Sequence, residues 1–308
     1  MRTERGTSTL APSDAGESDG ESNLSTQAHV GGRSHYTDLR FEALSRAPRA
    51  QQAMEQQGYE RTLAGLDALM QDAEGTKLAD KALVAKFAMK HLYSAGLKPK
   101  LGGSLAGHLR GVPKEPKDVD IEMPSAAELD AAFERLNGRF SYAGESLTVR
   151  ADRDDFDRGV GALLDVKLER SNVRSASTRV GIDLVNENTP VFNRELVAPE
   201  RTGSPAVGTT DTFRLVVNAI DRRINKPETS IAKRDASAVY HLLKDKGYRT
   251  SDPSHWRAIH AEVASKLRDP RDARDYMKQL DEMLTEYADE RAGRSRSRKG
   301  GKGGCNVM

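Results

Sequence analysis

The sequence predicts an α+β fold in which a small mixed sheet carries flanking helices and is followed by a helical C-terminal subdomain. Three observations predict it. Apolar residues recur at helical spacing from about residue 50 to residue 96, alternate with polar residues in parts of 97–210, and return to helical spacing over 211–290. Alternation with a period of two is typical of half-buried strands, so the sheet belongs in the middle of the chain.

Composition places limits on the class of protein. The chain has 308 residues, of which 37% are hydrophobic and 31% charged, and its net charge is +2. A single cysteine excludes disulfide frameworks and cysteine-rich zinc sites. No apolar run approaches the roughly 20 residues of a membrane span, and the basic start lacks the apolar block of a secretory signal peptide. The expected localisation is therefore cytoplasmic.

Composition also predicts where the domains begin and end. Residues 1–49 are rich in Ser, Gly, Thr, Glu and Asp, which predicts a disordered leader that serves as a linker, a regulatory tail or a signal for specialised secretion. N-terminal helices follow over 50–96, and the sheet-bearing core over 97–210. A helical subdomain takes up 211–290, and residues 291–308 form a basic disordered tail.

The helical segments are identified by their stripes of apolar residues and by their end signals. One helix contains Leu83, Val84, Phe87 and Leu92 on one stripe and is expected to stop at Gly96. Another begins with a capping box at Ser125 and ends at Gly138. Four amphipathic candidates then follow residue 210.

The stretch LGGSLAGHLRGVPKEPKDVDIEM, residues 101–123, combines features that suit phosphate and metal chemistry. On the alternating strand KDVDIEM, Asp118 and Asp120 point to the same face. Two carboxylates held that close repel each other unless they share a divalent cation. All-oxygen ligands favour Mg²⁺ or Mn²⁺ over zinc.

The paired glycines at the start of this stretch are suited to contact phosphate groups. Gly102 and Gly103 let the backbone approach a ligand without interference from a Cβ atom, and Ser104 can hydrogen-bond phosphate oxygens. A Gly-Gly-Ser turn alone is usually only a turn, and an isolated Asp-x-Asp is usually a solvated strand face. Their order, with a short helix and a strand between them, favours a functional site.

The residues alone do not decide which aspartate is the third carboxylate of the site. Asp165 in LLDVKL and Asp183 in GIDLV both lie in the middle of a predicted strand, between apolar neighbours. The two strands are expected to pair as a hairpin. A buried aspartate without a partner is costly, so both candidates have a reason to lie near a cation.

Taken together, these features resemble the nucleotidyltransferase superfamily, and most closely the abortive-infection type of nucleotidyltransferase toxins. Gly103-Ser104 and Asp118-Val119-Asp120-Ile121 match its motifs in type and order. A later helical Lys/Arg-Asp motif is matched by SIAKRDASAVYHLL, and the resemblance covers roughly residues 97–243. It implies a nucleotidyltransferase-like core, with Asp183 favoured over Asp165 as the third acid because it precedes the point where the chain leaves the sheet.

The resemblance also implies an activity and roles for named residues. The implied reaction moves a nucleoside monophosphate from a nucleoside triphosphate to a hydroxyl of a protein, an RNA or a small molecule, with Mg²⁺ or Mn²⁺ as cofactor. Catalytic and metal-binding roles fall on Asp118, Asp120 and Asp183, with Asp165 as an alternative metal ligand. Gly102, Gly103 and Ser104 are expected to hold the phosphates. A toxin of this kind also implies an antitoxin partner.

The sequence also leaves two interpretations for several further cations, and it allows two alternative functions. The resemblance suggests that Lys233, Arg234 and Asp235 face the cleft, although a charged helix face explains them equally well. Arg110 and Lys117 flank the glycine turn, and solvated surface is the favoured interpretation for both. The alternatives are a phosphotransferase that moves the terminal phosphoryl group on the same fold, and a catalytically inactive, membrane-tethered binding module.

The C-terminal end, Cys305-Asn306-Val307-Met308, resembles a prenylation box in which the final methionine favours farnesyl transfer. A basic, glycine-spaced run precedes it, and such a run strengthens the weak anchoring of a single prenyl chain to an anionic membrane. Because prenylation is a eukaryotic modification, this end suggests delivery into a eukaryotic host cell and tethering there. The alternatives are a plain disordered tail and a basic tail that binds nucleic acid.

Overall fold

The computed structural model of the protein describes residues 34–157, 160–170, 177–187, 206–225, 230–267, 269 and 271–300. Side chains are described for all of these except residues 34–48, 152–156, 230–234 and 293–300. The chain divides into two compact units, residues 1–46 and 47–308. All the side chains discussed below belong to the second unit.

The described residues contain eight helices and seven strands, and their order confirms the predicted α+β class. The helices are α1 Ser34–Asp72, α2 Lys77–Ser94, α3 Gly103–Leu109, α4 Ala126–Leu136, α5 Thr212–Asn225, α6 Ser230–Asp245, α7 Pro253–Lys266 and α8 Asp272–Gly300. The strands are β1 Lys100–Leu101, β2 Val119–Met123, β3 Gly138–Tyr142, β4 Glu145–Asp157, β5 Gly161–Glu169, β6 Ser177–Asn186 and β7 Gly208–Thr209.

The seven strands form one mixed sheet in the order β3-β4-β5-β6-β2-β1-β7. The pairs β2–β6 and β1–β7 are parallel, and the remaining pairs are antiparallel. The predicted hairpin between β5 and β6 is present. Because β2 pairs with β6 as well as with β1, residues 119–123 lie beside residues 182–186 in the centre of the sheet.

Strands β3 and β4 are absent from the sequence prediction. They form a hairpin whose two-residue turn, Ala143 and Gly144, has positive φ at both positions, as a type I′ turn requires. The second strand runs into the charged segment RADRDDFD, which hides the alternation of apolar and polar residues. The preceding helix was expected to end at Gly138 and ends at Leu136, and the strand that begins at Gly138 was not expected.

The apolar residues of the central strands pack under helices α2 and α4. Val119, Ile121, Ile182 and Leu184 are fully buried, while the residues that alternate with them are partly exposed or lie in the site described below. Full burial of such a side chain contributes about 1.5–3 kcal/mol. The strand periodicity therefore fixes which face of the sheet joins the core and which face carries the acids.

The helical region after the sheet packs chiefly on α5, which contacts α6, α7 and α8. Helix α5 also contacts α3, the short helix that follows the paired glycines. Its Asp221 accepts a hydrogen bond from the buried hydroxyl of Tyr276 on α8. The helical region is thereby attached to the part of the sheet that holds the glycine turn.

The two ends of the chain extend the helices beyond the apolar periodicity. Helix α1 begins at Ser34, ahead of the predicted start near Ala50, and α8 continues to Gly300. Residues 1–33 and 301–308, on which most of the predicted leader and the prenylation box fall, lie outside the described residues.

Candidate functional site

Three aspartates converge at the centre of the sheet. Strand β2 carries Asp120, with Asp118 directly before it, and β6 carries Asp183. The parallel register of these strands places Asp120 opposite Asp183. One carboxylate oxygen from each of the three side chains lies within 4.8 Å of the others, and all three residues are partly buried. The arrangement can hold one divalent cation through three oxygen ligands.

Asp165 does not join this group, because its strand β5 is separated from β2 by β6. It lies opposite Arg150 on one side and Gly181 on the other. Its carboxylate forms a 3.1 Å ion pair with Arg179, and 46% of its side chain is exposed. Of the two acids that the sequence left open, the structure brings Asp183 to Asp118 and Asp120 and leaves Asp165 in a surface ion pair.

The paired glycines pack directly on the acidic side chains of β2. The Gly102 amide donates a 2.9 Å hydrogen bond to the carbonyl of Asp120. Gly103 has a φ of +54°, and a Cβ atom at this position would lie 1.8 Å from Oδ2 of Asp120. A Cβ atom at Gly102 would lie 2.6 Å from Oε1 of Glu122. Only glycine allows the turn to approach the acids this closely.

Asp120 and Asp183 have raised pKa values, because both are poorly solvated and lie close to other acids. Burial, followed by the negative charges of Asp118 and Asp183, raises the pKa of Asp120 to about 7. Burial and then the charge of Asp118 also raise the pKa of Asp183. A divalent cation among the three carboxylates would relieve this repulsion, and hard oxygen donors suit Mg²⁺ or Mn²⁺. The donor set therefore fits the cofactor that the sequence predicted.

The raised pKa of Asp120 has a measurable effect on stability. Without metal, the folded state keeps a proton that the unfolded state releases above its ordinary pKa of 3.8. The free energy of unfolding should therefore fall, by on the order of a few kcal/mol, as pH rises from about 4 to about 7, and level off above that. Urea titrations in EDTA at pH 5, 6, 7 and 8 measure the effect.

The Asp120→Asn variant is the control for this titration. It cannot lose the proton, so its stability should fall less than that of the wild type over the same pH range, and it should be the more stable protein at pH 8 in EDTA. Added Mg²⁺ should stabilise only the wild type. Parallel pH curves for the two proteins would show that Asp120 titrates normally.

Sequence reasoning missed two cations that lie near the glycine turn. Arg222 on α5 and Lys114 in the loop before β2 line a pocket together with Gly103 and Ser104. Both contact the buried carboxylate of Asp235, with N···O distances of 3.4 Å from Arg222 and 3.6 Å from Lys114. The positive charge of Arg222 also lowers the pKa of Asp120, although burial and the neighbouring acids outweigh it.

The predicted Lys-Arg-Asp motif falls only partly on described side chains. Lys233 and Arg234 lie on the backbone of α6, but their side chains are outside the described part of the chain. Asp235 is buried at 2% exposure and orients Arg222 and Lys114. No local signal in the sequence distinguishes Arg222 from the other charged residues of α5.

Arg110 and Lys117, which flank the turn, take different positions. The Arg110 guanidinium donates a 2.7 Å hydrogen bond to the carbonyl of Thr210 and lies 3.8 Å from Asp245. Burial lowers its pKa, against the opposing effect of Asp245. Arg110 therefore joins α3 to the helical region, whereas Lys117 is exposed beside Asp118.

A buried charged network supports the site from one side. Glu122, two residues after Asp120, accepts a 2.6 Å hydrogen bond from the hydroxyl of Thr210. Next to it, Lys100 forms a 2.9 Å ion pair with Glu187, and Arg214 donates to the carbonyl of Glu187. These contacts connect β1, β2 and the start of α5.

Among the described residues, no helix is both long and apolar enough to cross a bilayer. Cys305 and the three residues after it lie beyond the described residues, so the lipid anchor stays a prediction from the sequence.

Comparison with known proteins gives similarity only at the level of solved structures. No family model matches the chain, and no curated protein matches it. A structure from H. pylori described as a nucleotidyltransferase is 13% identical with a TM-score of 0.34, and the match covers 65% of this chain and 92% of that chain. MenT4, a nucleotidyltransferase toxin from Mycobacterium tuberculosis H37Rv, is 14% identical with a TM-score of 0.32, over 73% of this chain and 89% of that chain. At these scores the function has to be inferred from the acids and the glycine turn themselves.

Proposed function

We propose that the protein is a metal-dependent nucleotidyltransferase that moves a nucleoside monophosphate from a nucleoside triphosphate to a hydroxyl group. The observation that carries the proposal is the convergence of three carboxylates within 4.8 Å, directly against a glycine turn that packs on one of them. A cation site beside open backbone is the arrangement that a metal-bound polyphosphate needs.

The residues of the site have separate roles. Asp118, Asp120 and Asp183 would hold the cation, which when bound neutralises charge on the phosphates. Gly102, Gly103 and Ser104 would lie along the phosphates, and the absence of a Cβ atom at each glycine lets the turn lie directly against Asp120 and Glu122.

Two further roles complete the site. Arg222, held by Asp235, supplies a positive charge to the phosphate side of the pocket. Asp183, as the third acid, would bind the cation or accept the proton of the acceptor hydroxyl.

Labelled triphosphates test the reaction type. The purified protein is incubated with Mg²⁺, candidate acceptors and a triphosphate labelled either at the α-phosphorus or at the γ-phosphorus. Transfer of the α label supports nucleotidyl transfer. Transfer of the γ label alone would show a phosphotransferase instead, and transfer of neither would leave a binding module. Intact-mass measurement of protein, RNA and small-molecule acceptors then identifies the acceptor.

Arg222 and its neighbour Arg223 provide a matched pair of variants. Arg222→Gln removes the cation that faces the glycine turn and should raise KM for the triphosphate by about 10-fold or more, since a charged hydrogen bond contributes about 1.5–3 kcal/mol. Arg223→Gln removes an ion pair with Glu286 on α8 and should leave KM within about two-fold. Equal values of KM for the two variants would remove Arg222 from the site.

A toxin activity belongs to the same proposal. Induction of the wild type in bacteria or in yeast should arrest growth if transfer damages an essential acceptor, and induction of Asp120→Asn should not. Co-expression of candidate neutralising proteins would then identify an antitoxin. Growth arrest by both proteins would separate toxicity from the acidic site.

The lipid anchor is supported by the sequence of the last four residues and by the basic run before them. We expect the wild-type protein, expressed in eukaryotic cells, to sediment with membranes, and Cys305→Ser to remain in the supernatant. Mass spectrometry of the C-terminal peptide measures the farnesyl group directly. Equal sedimentation of the two proteins would contradict prenylation.

A further inference from the structure

A concave basic surface lies next to the acidic site, and we call it the basic groove. It has a volume of about 730 Å³. Its walls are the first turns of α2, the loop before β2, one residue of β6 and one residue of α6. The cations that line it are Lys77, Lys81, Lys114, Lys117 and Arg179.

The basic groove carries an excess of positive charge. Five of its lining residues are cationic, and three of these have carboxylate partners: Lys81 pairs with Glu115, Lys114 with Asp235 and Arg179 with Asp165. Among the described residues, Lys77 and Lys117 form no ion pair. Lys81 is fixed in place by a 2.5 Å hydrogen bond to the carbonyl of Pro116 and a 3.4 Å ion pair with Glu115. Lys77 and Lys117 are exposed. Lys77 also opens α2, an 18-residue helix whose N-terminal dipole adds positive potential.

We propose that the basic groove binds a compact small molecule that carries several phosphate groups. The argument rests on charge density. A peptide supplies at most one negative charge per residue, and a nucleic acid strand supplies one per nucleotide, whereas each terminal phosphate group supplies up to two charges at neutral pH. Lys77 and Lys117, the two lining cations without a carboxylate partner among the described residues, are matched best by the closely spaced charges of phosphate groups on a small framework.

The residues that line the basic groove are also poorly suited to bind a nucleic acid strand. Proteins that bind single strands combine a positive track with aromatic side chains on which the bases stack. Among the described residues that line the groove there is no aromatic residue, and two prolines form part of the wall. The surface therefore offers charge without a platform for bases.

Lys114 connects the basic groove to the candidate active site. It lines the groove and also the pocket that contains Gly103, Ser104 and Arg222. A phosphate ligand in the groove and a triphosphate in the pocket would both attract the same ammonium group. The two polyanions should therefore weaken each other's binding, and by thermodynamic linkage the effect must be reciprocal. This coupling, unlike the groove site itself, rests on the proposed function.

Inorganic tripolyphosphate is the probe for the groove. Calorimetric titration in EDTA, where the three aspartates repel anions because no metal is present, should detect binding to the full-length protein that weakens as salt rises. Lys77→Gln and Lys117→Gln should each weaken that binding about 10-fold. Lys278→Gln, which removes an exposed lysine of α8 outside the groove, should leave it unchanged.

Each other outcome of the titration overturns the groove site. Absence of binding would do so, as would equal affinities for the groove variants and for Lys278→Gln. Tighter binding of a single-stranded oligonucleotide or of an acidic peptide, lost in the same two variants, would assign the surface to that class of macromolecule instead.

A kinetic arm separates the groove from the proposed function. Tripolyphosphate should raise KM for the triphosphate without lowering kcat. Lys77→Gln should have wild-type activity without the probe and should need about 10-fold more of the probe for the same rise in KM. If the protein binds the probe in the groove but transfers no label, the proposed function fails and the groove site stands. If the protein transfers label, and the wild type and Lys77→Gln respond equally to the probe, the groove site fails and the proposed function stands.

Discussion

Asp120→Asn and Asp118→Asn should each lower nucleotidyl transfer by about three orders of magnitude or more and leave the fold intact. Each substitution keeps the shape of the side chain but removes one negative charge from a group of three carboxylates within 4.8 Å. The remaining pair holds a cation poorly, and a cation at such a site stabilises the reacting phosphates by several kcal/mol. Steady-state transfer of α-labelled nucleotide measures the loss.

Asp165 and Asp183 make this experiment specific. Asp183→Asn should be as inactive as Asp120→Asn, because the two residues lie opposite each other on adjacent parallel strands. Asp165→Asn should retain most of the activity, because it breaks only an exposed ion pair with Arg179, which is worth about 1 kcal/mol or less. Loss of activity in Asp165→Asn together with activity in Asp183→Asn would place the reacting centre on β5.

Gly103→Ala is the second substitution with a large expected effect. The new methyl group would lie 1.8 Å from Oδ2 of Asp120, and the residue would have to keep a φ of +54°. Either the carboxylate moves out of the group of acids or the turn moves away from it. We expect transfer to fall by about 100-fold or more, because displacement of a reacting group by about 1 Å costs that much.

Gly111→Ala is the matched control at the other end of α3. Gly111 also has a positive φ, +82°, but a Cβ atom there would meet no atom of the described residues within 4 Å. The control should lose about 1 kcal/mol of stability from its backbone conformation alone and keep its activity. If Gly111→Ala and Gly103→Ala lose activity equally, the effect is one of helix stability and not of contact with Asp120.

The local pattern of the sequence was sufficient for the acids of β2. Alternation in KDVDIEM predicts a strand with Asp118 and Asp120 on one face, and the structure shows Val119 and Ile121 buried on the other. The sequence also predicted a glycine turn before this strand, and in the structure Gly103 combines a positive φ with close contact to the carboxylate of Asp120, which only glycine tolerates.

The choice between Asp165 and Asp183 could not be made from their own neighbours. Both are mid-strand aspartates between apolar residues, and they differ in which strand adjoins β2. Arg222, Lys114 and Asp235 meet only because α5, the loop before β2 and α6 pack together. The apolar periodicity of a single segment does not determine which other segments pack against it.

The sequence by itself determined the α+β class, the order of glycine turn and acidic strand, and the face of β2 on which the acids lie. These are properties of short segments, in which a period of two or 3.6 and the conformational freedom of glycine set the outcome. The tertiary structure alone decided which third acid joins the other two, which cations face the pocket and where the basic groove lies. Those features depend on the crossover that pairs β2 with β6 and on helix packing, both of which involve residues far apart in the chain.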